Sequence, residues 1–246
     1  MNDSRKKKDV WGPWATIGLS LIIGILCTVV QIITAIVYLI VLRTLDPSLE
    51  IQGAALTLAD NGLFLSVSTI ICFPINAGLI FLFCWLRRGI RTRDYLALRH
   101  VAAKTTFLCI GVGLTIQLLG DLLGLLLKHP IPEFMISAYT TAGSLPLLWI
   151  AVCVLAPITE EIFFRGFLYT GLSRSRLGAV GAILITSLCW AALHIQYDAF
   201  IIATIFVYGL TLGIVRAKTR SVLPTILIHM AINLISTIQV TFLIHG

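Results

Sequence analysis

Apolar runs of about 20 residues recur along nearly the whole of this chain and leave few folds open to it. An α-helix rises about 1.5 Å per residue, so about 20 apolar residues cross the roughly 30 Å hydrocarbon core of a bilayer. We identify seven such runs, at residues 14–42, 63–86, 106–127, 144–168, 179–196, 199–215 and 222–244. The sequence therefore predicts an all-α, polytopic transmembrane helical bundle with about seven spans.

The composition supports a membrane protein and excludes an ordinary soluble domain. Of the 246 residues, 58% are hydrophobic and 12% are charged, and the mean hydropathy is +0.99. Soluble domains carry about 25% charged residues. The six cysteines all lie within apolar runs and form no Cys-x-x-Cys pair, so we interpret them as small buried hydrophobic residues and not as a disulfide framework.

The basic residues indicate how the bundle is oriented in the membrane. The net charge is +7, and the basic residues cluster beside apolar runs, at 5–8, 87–104, 174–176 and 216–220. The intervening loops are poor in Lys and Arg, as expected when positive loops stay in the cytoplasm. We therefore predict a cytoplasmic N-terminus, a lipid bilayer as partner and no nucleic acid. The first run is too long for a signal peptide, so we expect it to remain as a membrane helix.

Two adjacent carboxylates and an arginine interrupt the fourth apolar run, in the sequence Thr159-Glu160-Glu161-Ile162-Phe163-Phe164-Arg165. Ionisable groups at that depth are costly unless paired or solvated, so they are usually functional. Residues four apart share a helix face, so Arg165 is placed to pair with Glu161, while Glu160 points elsewhere. This predicts a Glu161–Arg165 ion pair with Glu160 as the reactive group. The alternative is that both glutamates only stabilise the bundle core.

Two further apolar runs each carry a histidine. His194 follows Trp190 by four residues, and Asn233 follows His229 by four, so each pair shares a helix face. A single histidine in an apolar helix is more often a packing residue than a catalyst. An imidazole and a carboxamide on one face, however, are groups that can stabilise a developing oxyanion. Glu160, His194, His229 and Asn233 are therefore the candidate catalytic residues, with Glu161 and Arg165 as supporting residues.

In this order on successive apolar runs, the three motifs resemble those of the CPBP family of intramembrane proteases. That family includes CAAX prenyl endopeptidases of the Rce1 type and bacterial Abi proteins, some linked to bacteriocin processing or immunity. The resemblance covers about residues 140–240. We therefore expect residues 131–246 to hold the CPBP-like catalytic core and residues 1–130 to supply N-terminal transmembrane helices and a basic cytoplasmic loop, within a single membrane domain. The second motif usually opens with phenylalanine, where this chain has Trp190.

The resemblance implies a role for each candidate residue. Glu160 would act as general base on a water that His194 helps to hold, while His229 and Asn233 would stabilise the tetrahedral oxyanion. In a metalloprotease version, a divalent metal such as Zn²⁺ would instead be bound by Glu160, His194 and His229, since Glu and His are catalytic zinc ligands. The His-Glu-x-x-His motif of many zinc proteases is absent from the sequence, and the metal content stays open.

The leading prediction is thus an endopeptidase of a bacterial cell membrane that hydrolyses a peptide bond in a peptide or membrane-protein substrate, at a site opening near the inner leaflet. One alternative is a non-catalytic immunity or regulatory protein of the same family that binds a partner. A second is a transporter in which Glu160, Asp121 and the histidines relay protons, although no internal repeat supports it. The sequence defines neither the substrate nor the oligomeric state.

Four further expectations concern packing and depth. Glycines four residues apart, Gly120 with Gly124 and Gly209 with Gly213, predict close helix contacts. Asp121 is expected to make a polar contact with another helix, and His129 to be solvated. Along their helices, Glu160 lies about 12 Å and His229 about 10 Å from the inner end of the apolar run that carries it. His194 lies about 22 Å from the inner end of its apolar run. A common site therefore requires the helix that carries His194 to begin outside the bilayer, to tilt or to be displaced.

Overall fold

The computed structural model describes residues 10–245, and over this range the chain is α-helical without any β-strand. The apolar runs become long helices because a helix satisfies its own backbone hydrogen bonds where no water is available. Short helices connect them. We number the helices α1 Pro13–Leu45, α2 Ile51–Leu56, α3 Gly62–Leu86, α4 Thr92–Tyr95, α5 Ala103–Leu126, α6 Glu133–Thr140, α7 Leu145–Ser173, α8 Gly178–Ala192, α9 Ala199–Thr219 and α10 Leu223–His245.

Six of these helices are long and apolar enough to cross a bilayer, namely α1, α3, α5, α7, α9 and α10. Helix α8 is apolar but has only 15 residues. It is therefore about 22 Å long and shorter than the roughly 30 Å hydrocarbon core. The chain is an integral membrane protein whose all-α bundle agrees with the predicted count of about seven spans.

The predicted span boundaries differ most from the structure around the candidate site. The fourth run continues as helix from the predicted end at residue 168 to Ser173, and the fifth stops at Ala192 instead of 196. Asp198 starts α9, because its side chain accepts the backbone N–H groups of Phe200 and Ile201. The connection before this cap leaves the helix, so His194 lies in a turn and not on a helix.

The connections gather at two ends of the bundle. At one end Ser221 Oγ donates to the carbonyl of Arg99 at 2.6 Å, and the N–H of Val222 donates to the carbonyl of Ala97 at 3.1 Å. At the other end the N–H of Gly62 donates to Thr141 Oγ1 at 2.7 Å. The first end, called the basic end below, consists of loops 87–102, 174–177 and 220–222. The opposite end consists of segments 46–61, 127–144 and 193–198. The basic cluster at 5–8 lies outside the described residues.

Within the basic end, the turn between α9 and α10 lies closer to the middle of the bundle than loop 174–177 does, and this explains how residues at different predicted depths reach one site. Arg216, in the last turn of α9, donates from Nε to the carbonyl of Arg165 at 2.9 Å and from Nη2 to Thr170 Oγ1 at 3.2 Å. Arg165 lies eight residues before the end of α7, so α7 and α8 extend about 12 Å beyond that level. His229 is thus level with the middle of α7, as is Trp190 on α8.

Small residues allow the helices around the site to approach closely, as the glycine spacing predicts. A Cβ on Gly209 would lie 2.9 Å from Ser187 Cβ, and one on Gly213 would lie 2.8 Å from Ile183 Cγ2, so α9 packs tightly on α8. A Cβ on Gly113 of α5 would lie 2.3 Å from Ile228 Cγ2 of α10. The helices before residue 131 therefore pack directly against those that carry the motifs.

Candidate active site

Helix α7 is locally unwound on both sides of its two glutamates. Its segments Ala151–Leu155 and Ile162–Leu168 have π-helical hydrogen bonding, and Pro157 lies between them. Proline lacks an N–H, and π-helical turns are wider than α-helical ones, so carbonyls are released from the usual ladder. Side chains of other helices bind two of these carbonyls: Asn233 Nδ2 donates to Val152 at 2.8 Å, and Arg216 donates to Arg165. These bonds position α7 against α9 and α10.

Glu161 forms a fully buried ion pair with Arg165, as predicted, and it also contacts His229. Arg165 Nη1 donates to Glu161 Oε1 at 2.9 Å, and both side chains have no exposed surface. His229 Nδ1 lies 3.2 Å from the same oxygen. Because an ionised carboxylate only accepts, Nδ1 carries the proton in this contact, and in the neutral ring Nε2 is then an acceptor. Sequence spacing does not reveal this bond, since the two residues lie on different helices.

Trp190 connects the three motifs. Its Nε1 donates to Glu160 Oε2 at 2.5 Å. Its ring meets those of His194 and His229 edge to face, with centroids 5.3 and 5.1 Å apart. The guanidinium of Arg165 lies over the ring, 4.6 Å from its centroid. The N–H of Trp190 thus holds the carboxylate of the candidate base, a contact that the phenylalanine usual at this position does not make.

His194 is held by the turn that follows α8. Its Nδ1 lies 2.8 Å from the carbonyl of Trp190, so Nδ1 is the donor and Nε2 is free to accept. The ring stacks on Tyr197 with centroids 6.3 Å apart. Burial raises the pKa of Tyr197 to about 12, so its phenol stays protonated at neutral pH. Tyr197 belongs to none of the three motifs, and only its position three residues after His194, in the same connection, indicates a place near the site.

One cavity brings the candidate catalytic residues together. It has a volume of about 600 Å³ and is lined by Glu160, His194, His229, Asn233 and Trp190. Binding cavities typically measure about 300–1,000 Å³. Glu161 and Arg165 do not line it but lie directly behind its wall. The motif order therefore predicted a shared site, and the structure places the four side chains around one space; their chemical roles stay predictions.

The cavity opens at the end of the bundle opposite the basic loops. Its lining residues outside helices α3, α5 and α7–α10 belong to segments 129–139 and 194–197, whereas loops 87–102, 174–177 and 220–222 contribute none. We predicted that the basic loops and the opening both face the cytoplasm. The two lie at different ends, so the basic loops and the opening do not face the same side of the membrane. His129, predicted to be solvated, lines this mouth, with Nε2 3.0 Å from Asp198 Oδ2 and a side chain 19% exposed.

The expected metal ligands are not arranged as a metal site. In the described part of the chain, no three His, Cys, Asp or Glu side chains are grouped closely enough to bind a metal ion. His229 Nδ1 faces Glu161, His194 Nδ1 faces a carbonyl, and Glu160 Oε2 accepts from Trp190. We therefore derive no step through a metal, and the Zn²⁺ site at Glu160, His194 and His229 stays a prediction.

Asp121 makes the polar helix contact expected of it. Gln117 Nε2, one turn earlier on α5, donates to Asp121 Oδ1 at 3.0 Å. Gln239 Nε2 on α10 donates to Asp121 Oδ2 at 2.8 Å. All three side chains line the same cavity as Glu160. The cavity thus has two polar regions on a largely apolar wall.

Comparison with known proteins finds a similarity in the C-terminal part of the chain. Residues 142–235 match the family model described as type II CAAX prenyl endopeptidase Rce1-like. This match confirms the resemblance and includes all six candidate site residues. An uncharacterized 24.3 kDa protein of Escherichia coli is 35% identical over 119 residues, which is 44% of this chain and 52% of that protein. The chain thus aligns with about half the length of this curated relative. No solved structure matches the chain.

Proposed function

Starting from the Rce1-like match over residues 142–235, we propose that the chain is an intramembrane endopeptidase of this CAAX-protease type. The observation that carries the proposal is the cavity between membrane helices that Glu160, His194, His229 and Asn233 line together. A cavity within the bilayer excludes bulk water, so each hydrogen bond to the transition state is stronger than at a surface. The substrate is a peptide or a membrane protein, and the compartment is a bacterial cell membrane.

Hydrolysis begins with a water between Glu160 and His194. The free Glu160 oxygen accepts a proton from the water, and His194 Nε2 accepts its second hydrogen as a hydrogen bond, which orients the oxygen lone pair. Trp190 Nε1 holds the other carboxylate oxygen at 2.5 Å, so the base has a defined position. The water oxygen then bonds to the substrate carbonyl carbon, and the carbonyl electron pair moves onto its oxygen.

The resulting oxyanion is stabilised from α10. Asn233 uses one amide hydrogen for Val152 and has the second free to donate. His229 donates from Nε2 when its ring carries both protons, and Glu161 at Nδ1 then offsets the added charge. Collapse of the tetrahedral intermediate breaks the C–N bond, and the proton held by Glu160 passes to the leaving amine. Glu160 is returned as a carboxylate.

The proposal is tested by the Glu160→Gln variant, which is nearly isosteric but does not accept a proton. A general base contributes about 10²–10⁴-fold, so cleavage is expected to fall at least about a hundredfold while the fold is retained. New N- and C-termini of membrane and secreted proteins are compared by quantitative proteomics between cells with wild-type and variant protein. Glu50→Gln, which removes an exposed carboxylate that does not line the cavity, is the matched control.

Equal amounts of every terminus in wild type and Glu160→Gln would contradict the assignment of the base. If no terminus depends on the protein, but Glu160→Ala still rescues the phenotype of a deletion strain, the chain acts by binding a partner. The immunity or regulatory alternative then replaces the protease.

A further inference from the structure

The second polar region of the cavity has binding capacity that the protein leaves unused. Gln117 is only 3% exposed, yet its Oε1 has no hydrogen-bond partner among the described residues. Its Nε2 is committed to Asp121, so the free oxygen is the acceptor end of the amide. Buried acceptors in proteins are nearly always paired, and Gln117 lines the cavity, so a ligand bound beside it is in a position to supply the missing donor.

The charge of this region is also uncompensated. Asp121 accepts from two neutral amides, those of Gln117 and Gln239, and no basic side chain forms an ion pair with it between residues 10 and 245. A carboxylate in a mostly apolar wall is stabilised by a cation when one is supplied. Two acceptors without a positive partner therefore favour a cationic donor as the ligand.

The spacing between the two polar regions fits an extended peptide. His229 and Gln239 lie on one helix, ten residues apart, which corresponds to about 15 Å along α10. An extended chain advances about 3.3 Å per residue. A peptide whose scissile bond lies at Glu160 and His229 therefore reaches Asp121 with a residue four or five positions away. That residue lies toward the mouth formed by segments 129–139 and 196–197.

We propose that Gln117, Asp121 and Gln239 form a substrate subsite that binds the side chain of a lysine or arginine four or five residues from the scissile bond. The subsite gives the apolar cavity a charge-selective contact and sets which peptide bond reaches Glu160. The position relative to the scissile bond rests on the proposed function. The preference for a cation does not, because it follows from the charge of Asp121, which has no ion-pair partner among the described residues, and from the unpaired oxygen of Gln117.

The experiment measures binding to full-length Glu160→Gln protein in zwitterionic nanodiscs, so that no turnover is needed. The probes are two fluorescent apolar decapeptides of identical sequence, one with a single central lysine and the other with glutamine in its place. We expect the lysine peptide to bind at least about tenfold more tightly, in the range of a charge-assisted pair. Adding Asp121→Asn should abolish the difference, and Asp60→Asn, which removes an exposed acid at the same end, should leave it intact.

Equal affinity for the two peptides with Asp121 intact overturns the subsite, whether or not Asp121→Asn folds. Cleavage data separate this failure from that of the protease. If Glu160-dependent termini exist but show no enrichment of Lys or Arg four or five residues from the cut, the proposed function stands and the subsite position is wrong. If lysine is preferred and no terminus depends on Glu160, the subsite stands and the protease is wrong.

Discussion

At the scale of single residues, Trp190 is the side chain on which the site geometry depends most. It donates to Glu160, packs edge to face with two histidines and covers Arg165. A phenylalanine at this position keeps the aromatic packing and lacks the N–H. The difference between the two residues is therefore a single hydrogen bond to the carboxylate of the proposed base.

Trp190→Phe is expected to lower the rate of cleavage about tenfold without loss of folded protein. A hydrogen bond to a charged group contributes about 1.5–3 kcal/mol, and about 1.4 kcal/mol corresponds to tenfold in rate. The rate is measured as the appearance of Glu160-dependent termini in proteoliposomes. The matched control is Trp149→Phe on α7, because Trp149 Nε1 is buried without a partner among the described residues and Trp149 does not line the cavity. An unchanged rate in Trp190→Phe would show that the bond does not position Glu160.

Glu161→Gln is expected to destabilise the protein more than any substitution that lines the cavity. It leaves the fully buried Arg165 without its counter-charge, and breaking a buried ion pair on one side costs about 3–5 kcal/mol. The free energy of unfolding is measured by denaturant titration in detergent micelles. The double variant Glu161→Gln with Arg165→Gln should recover part of the loss, since it strands no charge. No recovery in the double variant would contradict this explanation.

At the scale of elements, the contact between α8 and α9 determines whether Trp190 faces the glutamates. Gly209 supplies its carbonyl to Arg165 Nη2 at 3.2 Å and lies directly against Ser187. Only a residue without a side chain allows both contacts, because the two backbones approach too closely for a Cβ. The pair of glycines spaced by four thus has a specific structural use in this protein.

Gly209→Ala is expected to lower the free energy of unfolding by about 1–3 kcal/mol, the range for an overpacked interior. The new Cβ would lie 3.1 Å from the Cα of Ser187, and backbone cannot rotate away. Gly111→Ala is the control on α5, where an added Cβ meets nothing within 4 Å and alanine favours the helix. The unfolding temperature should therefore fall in Gly209→Ala and rise in Gly111→Ala. Equal shifts of the unfolding temperature in the two variants would contradict the close packing of Gly209 as the cause.

The start of α9 gives a prediction about pH. The backbone N–H of Ile201 holds the pKa of Asp198 below its usual value, with His129 and the N–H of Phe200 adding to the effect. A folded pKa below the unfolded one means that ionised Asp198 stabilises the fold above about pH 4 and that this contribution is lost as the pH falls through the folded value. Asn also caps helices well. Acidification from pH 6 to 3 should therefore lower the unfolding temperature of wild type more than that of Asp198→Asn. An equal drop in unfolding temperature for the two proteins would contradict a stabilising role of ionised Asp198.

At the scale of the whole molecule, the positive loops and the cavity mouth lie at opposite ends of the bundle. If positive loops remain in the cytoplasm, the mouth opens outward, and substrates of the proposed protease reach Glu160 from the external face. The bundle then presents its active cavity to exported peptides or external segments of membrane proteins. Cytoplasmic chain ends reach it only by crossing the bilayer.

Cysteine labelling tests this orientation in intact bacterial cells. A membrane-impermeant maleimide is expected to label Gln196→Cys at the mouth, and to label Arg91→Cys in a basic loop only after permeabilisation; both native side chains are exposed. The unsubstituted protein provides the background from its own cysteines. Labelling in the reverse order would place the mouth in the cytoplasm and the basic loops outside.

The amino-acid sequence by itself determined the class of fold, the approximate spans and the identity of the candidate residues. The length of an apolar run decides whether its helix crosses the hydrocarbon core, and a spacing of four residues puts Arg165 beside Glu161. The spans and this ion pair therefore follow from local helix geometry. Only the tertiary structure decided that His229 shares Glu161, that Trp190 holds Glu160 and that the cavity opens away from the basic loops. These features depend on how far one helix is displaced along another, and that displacement is set by side-chain packing between distant segments such as α8 and α9, which no local pattern specifies.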